Sequence, residues 1–151
     1  MWPDERVVTF VTENFIPARV HVKQQAADFQ RFGERFGAQW TPTVLTIDPA
    51  GIERHRIEGF LPGDEFLAQL AVGLGQIAFH EKRFEDAERW FESVLERFPK
   101  TEGAPEAQYW AGVSRYKASH DANDLAAITA AFRKRYADTI WAKKASVWGK
   151  G

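Results

Sequence analysis

The hydrophobic pattern of this chain changes for good at Pro62, Gly63 and Asp64. Before them, apolar residues recur partly at helical spacing and partly in alternation; after them, only at helical spacing. A sheet is therefore confined to the first part of the chain, and the remainder must bury its apolar stripes as packed helices.

Asp4 is placed to cap a first helix whose apolar positions are Val7, Phe10, Val11 and Phe15, with Asn14 marking its end. Ile16, Ala18, Val20 and Val22 then alternate with Pro17, Arg19 and His21, which predicts a strand with one buried face. Phe29, Phe32 and Phe36 share one face of a second helix closed by Gly37. The β-branched run Thr43 to Ile47 reads as an inner strand, and Asp48-Pro49-Ala50-Gly51 supplies a type I turn. The return strand, Ile52 to Ile57, carries Glu53, Arg54, His55 and Arg56, a charge density suited to a guarded edge.

Helical breaks fall near Arg83, Lys100 to Gly103, His120 to Asn123 and Asp138. Residues 96–110 (ERFPKTEGAPEAQYW) align without a gap on residues 134–148 (KRYADTIWAKKASVW), an offset of 38 residues at which Arg, Thr, two Ala and Trp coincide. Self-similarity at that period predicts stacked helical hairpins.

Composition bounds the function. Twelve Phe and six Trp against 27% charged residues provide a real core and exclude wholesale disorder. A formal charge of −1 removes any general electrostatic case for nucleic acid or an anionic membrane. With no cysteine in 151 residues there is no disulfide, no thiolate ligand and no thiol nucleophile. Met1-Trp2-Pro3-Asp4-Glu5-Arg6 does not read as a leader, and no run of about 18 apolar residues is long enough to span a bilayer, so the expected compartment is the cytoplasm.

The order helix, strand, helix, Thr41-Pro42, strand, turn, strand, helix, with Trp40-Thr41-Pro42-Thr43 as its most specific token, resembles a thioredoxin-like domain over residues 4 to about 72. The resemblance implies an incomplete three-layer α/β unit at 1–72, with about three strands in a mixed sheet. It also implies a cis proline at Pro42, with Thr41 offering backbone hydrogen bonds to an extended peptide. The family's first core strand and its Cys-X-X-Cys would lie upstream of Met1. That strand normally sits between the strands assigned here to Ile16–Val22 and Thr43–Ile47, so those strands must pair directly, leave a gap or accept a strand from another chain. Residues 73–151 resemble tetratricopeptide repeats: Leu74, Gly75, Ala78, Ala87, Phe91 and Pro99 fall at that family's spacing, and Gly112 repeats Gly75 in a looser copy.

Other motifs weigh less. Gly73-Leu74-Gly75 with Ala78 imitates a dinucleotide fingerprint but lies inside a helix rather than between strand and helix. His80-Glu81 begins a zinc-protease string in which Phe84 stands at the second histidine, and His21, His55 and His120 fall in unrelated elements. Gly112-Val113-Ser114 lacks the second glycine of a nucleophile elbow. Asp86 with Glu88, and Glu102 with Glu106, read as solvated helix faces. Arg133, Lys134, Arg135, Lys143, Lys144 and Lys150 lie near Trp141 and Trp148, but Trp141, Ala145 and Trp148 form one helical stripe, which reads as core.

The expectation is a non-catalytic protein- or peptide-binding module, with Trp40, Thr41 and Pro42 as the peptide-binding residues and no metal or cofactor. Its partners are protein or peptide, with neither nucleic acid nor membrane involved. Two alternatives stand beside it. One is a truncated thiol-disulfide oxidoreductase whose cysteines lie upstream. The other is a structural subunit completed by a partner's strand, including a homodimer through the incomplete sheet.

Overall fold

The computed structural model describes residues 4–149, so Met1 to Pro3, Lys150 and Gly151 lie outside the described residues. In chain order the elements are α1 (Glu5–Asn14), α2 (Ala26–Phe36), β1 (Thr43–Ile47), β2 (Glu53–Glu58), α3 (Gly63–His80), α4 (Phe84–Arg97), α5 (Gly103–Ser119), α6 (Ala122–Lys134) and α7 (Ile140–Ala145), closed by a 3-10 turn at Ser146–Gly149.

Helix α1 begins where its cap predicts: the Asp4 carboxylate accepts the Arg6 N–H at 2.9 Å. The Arg6 guanidinium turns back to Asp4 at 2.8 Å and reaches Asp64 at 2.9 Å, tying the start of α1 to the start of α3. Val7 and Phe10 enter the core, and Phe10 meets Trp90 of α4 edge-to-face with ring centroids 6.1 Å apart.

The expected strand at Ile16–Val22 does not form. Residues 15–21 take no regular structure, Ile16 is fully exposed, and the sheet has two antiparallel strands, β1 and β2, rather than about three in mixed array. Alternation marks a strand only when an edge is there to pair with; among the described residues no strand pairs with this segment, and Pro17 has no N–H to contribute.

The β1–β2 hairpin is fixed by its turn. Gly51 N–H donates to the Asp48 carbonyl at 2.9 Å, and the Asp48 carboxylate accepts the N–H groups of Ala50 and Ile52 and the Nε of Arg54 at 2.8 Å. A bulge between Thr46 and Ile47 shifts the register. One face of the hairpin lies on α3, where Thr46 is so close to Gly73 that an added Cβ would stand 2.8 Å from its Oγ1. Helix α2 ends on Gly37 at φ 63°, as its sequence predicts, but none of its residues is buried. It is held to the hairpin by polar tethers: Arg56 donates to the carbonyls of Phe36 and Gly37, and Arg35 to that of Gly51.

The helical part packs in sequence order, with α3 also touching α5, and α5 touching α7. Its tight crossings repeat. A Cβ at Gly75 would meet the Phe91 ring sixteen residues on, and one at Gly112 would meet Ile128 at the same interval. The 38-residue sequence repeat is a repeat of bonds as well. Thr101 Oγ1 donates to the Phe98 carbonyl at 2.7 Å, as Thr139 Oγ1 does to that of Tyr136. Arg97 lies over the Phe98 ring and Arg135 over Tyr136, while Ala107 and Ala145 are both fully buried. One apolar cluster joins α1, β2, α3, α4 and α5, and a second gathers Ile128, Phe132 and Ala145 beneath Tyr109, Trp141 and Trp148.

Candidate functional site

The three sequence-selected residues lie together at the open end of the hairpin. The Thr41–Pro42 peptide bond is cis. Pro42 accepts the Gly59 N–H at 2.8 Å, and Trp40 accepts the Thr43 hydroxyl at 2.6 Å, so the segment before β1 is pinned at both carbonyls. Trp40, Thr41 and Pro42 are all exposed, Trp40 to 67%.

Phe60, which sequence reasoning passed over, stands directly after the glycine that bonds Pro42, and is 77% exposed. Among the described residues the exposed aromatic phenylalanines and tryptophans are Phe32, Trp40 and Phe60. Phe60 belongs to no apolar period, so its one signal was a large aromatic between Gly59 and Leu61-Pro62 where a turn needs none.

The Gly59–Pro42 bond also sets the phase of the ladder. In an antiparallel pair, bonded and non-bonded positions alternate, so Val44 and Thr46 direct their backbone polar groups to β2, whereas Thr43, Leu45 and Ile47 direct theirs away from it. Among the described residues no backbone group meets that outer edge.

On the helical side, His55 Nε2 lies 2.6 Å from Gln69 Oε1. Burial pushes the Glu106 carboxyl above its ordinary value, and the charges of His55 and Lys144 act against that rise. Two open concave spaces of the described surface lie away from these groups, one along Lys82–Asp86 with Lys117 and Ala118, the other along Arg83, Asp86, Arg89, Trp90 and Ser93.

The remaining motifs resolve into packing. Gly73 and Gly75 face Thr46 and Phe91 inside α3. His80 Nδ1 is engaged by the Gln76 carbonyl of its own helix at 2.8 Å, and among the described residues no three of His, Asp and Glu gather as a metal site. Ser114 is fully buried in α5 with no partner for its hydroxyl, and so has no base. Asp86 is held by Arg83 and Arg89, which lower its pKa, while Glu88 binds Arg115. Glu65 accepts the Glu102 N–H at 3.0 Å. Trp141 and Trp148 pack on Tyr109 at 5.4 and 5.5 Å, with Lys144 over Trp141 at 4.1 Å.

Residues 1–73 match the family model described as a thioredoxin-like domain. The first half of the chain carries a thioredoxin-like domain. Neither the comparison with curated proteins nor that with solved structures found a match. The match ends within α3, the helix on which the hairpin of the thioredoxin-like domain rests. No described helix is long and apolar enough to cross a membrane.

Proposed function

We propose that the chain is a non-catalytic binding module whose thioredoxin-like domain holds an extended peptide across Trp40, Thr41 and Pro42. The observation that carries this reading is the pair of exposed aromatics, Trp40 and Phe60, flanking the Pro42–Gly59 bond. Large aromatics left in water beside free backbone groups are the ingredients of a peptide site: rings supply apolar area, and the strand edge supplies hydrogen bonds. The redox alternative needs a thiolate to attack a disulfide, and it places that thiolate on cysteines upstream of Met1, since none of the 151 residues is cysteine.

The helical hairpins, read as tetratricopeptide-like, are the scaffold and a second protein-binding surface. Support for that reading lies in the matched close approaches of Gly75 to Phe91 and of Gly112 to Ile128.

Fluorescence polarisation with a panel of short fluorescein-labelled peptides, alternating apolar and polar side chains, tests the site. Wild type should bind a subset. Trp40→Ala and Phe60→Ala should each weaken that binding by about 10- to 30-fold, the size of a moderate aromatic anchor. Ile140→Ala, exposed on α7, serves as the control. Equal affinity across all four proteins would remove the assignment.

A further inference from the structure

Where the hairpin meets the helices, four polar side chains gather apart from Trp40 and Phe60. His55 of β2 places Nε2 2.6 Å from Oε1 of Gln69 on α3. The Gln69 amide nitrogen in turn lies over the start of α5, so near that a Cβ at Gly103 would stand 3.3 Å from it. About one turn on, Glu106 is half-buried, and the charges that act on its carboxyl are those of His55 and of Lys144 on α7. Gln69, Glu106 and Lys144 hold one position of the helical repeat, 37 and 38 residues apart, so they form a row across α3, α5 and α7 that His55 joins from the sheet. The cluster is built by described elements and draws nothing from the outer edge of β1.

Two effects compete at Glu106. It stands in the first turn of α5, where the helix dipole favours an anion, yet burial outweighs this and holds the pKa of the carboxyl above its ordinary value. Once ionised, it is a carboxylate withdrawn from water, and among the described residues no hydrogen bond or ion pair reaches it. Lys144 is a poor remedy, because its side chain is exposed and its ammonium sits 4.1 Å from the centre of the Trp141 ring. His55 is a better one. An amide oxygen only accepts, so Nε2 keeps its proton toward Gln69 in either charge state. A proton gained in acid therefore goes to Nδ1, which has no hydrogen-bond partner among the described residues. The ring then becomes a charged donor near a carboxylate that lacks one, and imidazole as a class makes this change between about pH 5 and 8.

We propose that His55 and Glu106 form a proton-operated clasp between the β1–β2 hairpin and the helical hairpins, closed by an imidazolium–carboxylate pair. The clasp exists between the pH at which Glu106 ionises and the pH at which the imidazole loses its proton. Above that range Glu106 is an anion facing a neutral ring, and the hairpin is held less firmly on the helices.

Hydrogen exchange of the β1 and β2 amides, measured on the full chain at pH 6 and pH 8 and corrected for intrinsic rates, decides it. Wild type should be about tenfold more protected at pH 6, the factor that one pKa unit of interaction represents. His55→Gln, which keeps an amide for Gln69, and Glu106→Gln should each remove that difference, whereas Lys144→Ala should leave it. A wild-type difference that survives in His55→Gln overturns the pair, and its loss in Glu106→Gln alone would trace it to burial of the carboxylate. Equal protection of the wild type at both pH values, or a difference lost in Lys144→Ala, would also overturn it. Because the wild type alone must show the difference, a variant that fails to fold does not shelter the proposal. Nothing bound at Trp40 or Phe60 enters the measurement, so the clasp and the peptide site fail separately.

Discussion

Replacing Gly75 by alanine tests whether the helical part is held by the close approach of α3 to α4. In an ordinary exposed helix the change stabilises by about 1 kcal/mol, because glycine is the weaker helix former. Here the new Cβ would stand 2.5, 2.6 and 2.9 Å from three carbons of the Phe91 ring, where ordinary contact begins at 3.4 Å. Phe91 is fully buried, so the ring cannot swing into solvent and must push its neighbours by roughly an ångström. Overpacking of that kind costs about 1–3 kcal/mol, and a clash spread over three atoms of a rigid ring belongs at the upper end. The net expectation is a loss of about 2 kcal/mol, or a fall in melting temperature of about 4–8 °C for a chain of this size. Thermal unfolding followed at 222 nm measures it. The cause is isolated by a double-mutant cycle with Phe91→Leu: in the smaller background Gly75→Ala should be neutral or mildly stabilising, giving a coupling energy of about 2 kcal/mol. An alanine variant as stable as wild type, or a coupling below about 0.5 kcal/mol, would refute the claim that glycine stands there for proximity.

Two further outcomes follow from single buried groups. Ser114→Ala should stabilise the protein by about 1 kcal/mol, because the buried hydroxyl has lost water and gained no partner; a higher urea midpoint at unchanged slope confirms it, and a lower one contradicts it. Glu106 holds its proton to higher pH when folded than its ordinary value of 4.5 allows, so the folded state binds more protons and stability falls as pH rises from there through the folded pKa. Glu106→Gln should therefore match wild type near pH 4 and exceed it in stability near pH 8, and an equal difference at both pH values would discard the burial account.

Local signals in the sequence were read well where both partners of an interaction lie close along the chain. Asp4 caps α1 through Arg6, Gly37 ends α2, and Asp48 with Gly51 builds the hairpin turn, each within a few residues. The repeat was legible for the same reason: Thr101 and Thr139 each bond an aromatic residue's carbonyl three positions back. Pattern failed where the partner is distant. Ile16 to Val22 alternates like a strand, but alternation describes side chains and says nothing about whether an edge is there to pair with. The Phe29, Phe32 and Phe36 stripe was likewise read as a face, yet no residue of α2 is buried, because periodicity reports amphipathicity and not what covers it. At the candidate site, Trp40, Thr41 and Pro42 were visible as a motif. The free groups of Thr43 and Leu45 became visible only once the ladder phase was known.

A two-stranded hairpin is marginal by itself, so something other than its sheet must keep β1 in place as an open edge. Helix α3 does this by being apolar on most of its circumference. Toward the hairpin it offers Gly73 to Thr46 and Gln69 to His55; toward α4 it offers Gly75 to Phe91. Ten of its residues are buried, and the apolar cluster runs through it from Val7 and Ile57 to Ala107. The hairpin is thus backed by helices on one face, while its other face meets α2 through polar tethers and its outer edge meets nothing described. Rigid support behind an unsatisfied edge is what a strand acceptor needs, since an edge free to fold away would close on itself before a partner arrived. On this argument the helical hairpins are not an independent appendage: loosening α3 against α4 loosens the edge, and binding at β1 should weaken in step with the stability lost at Gly75.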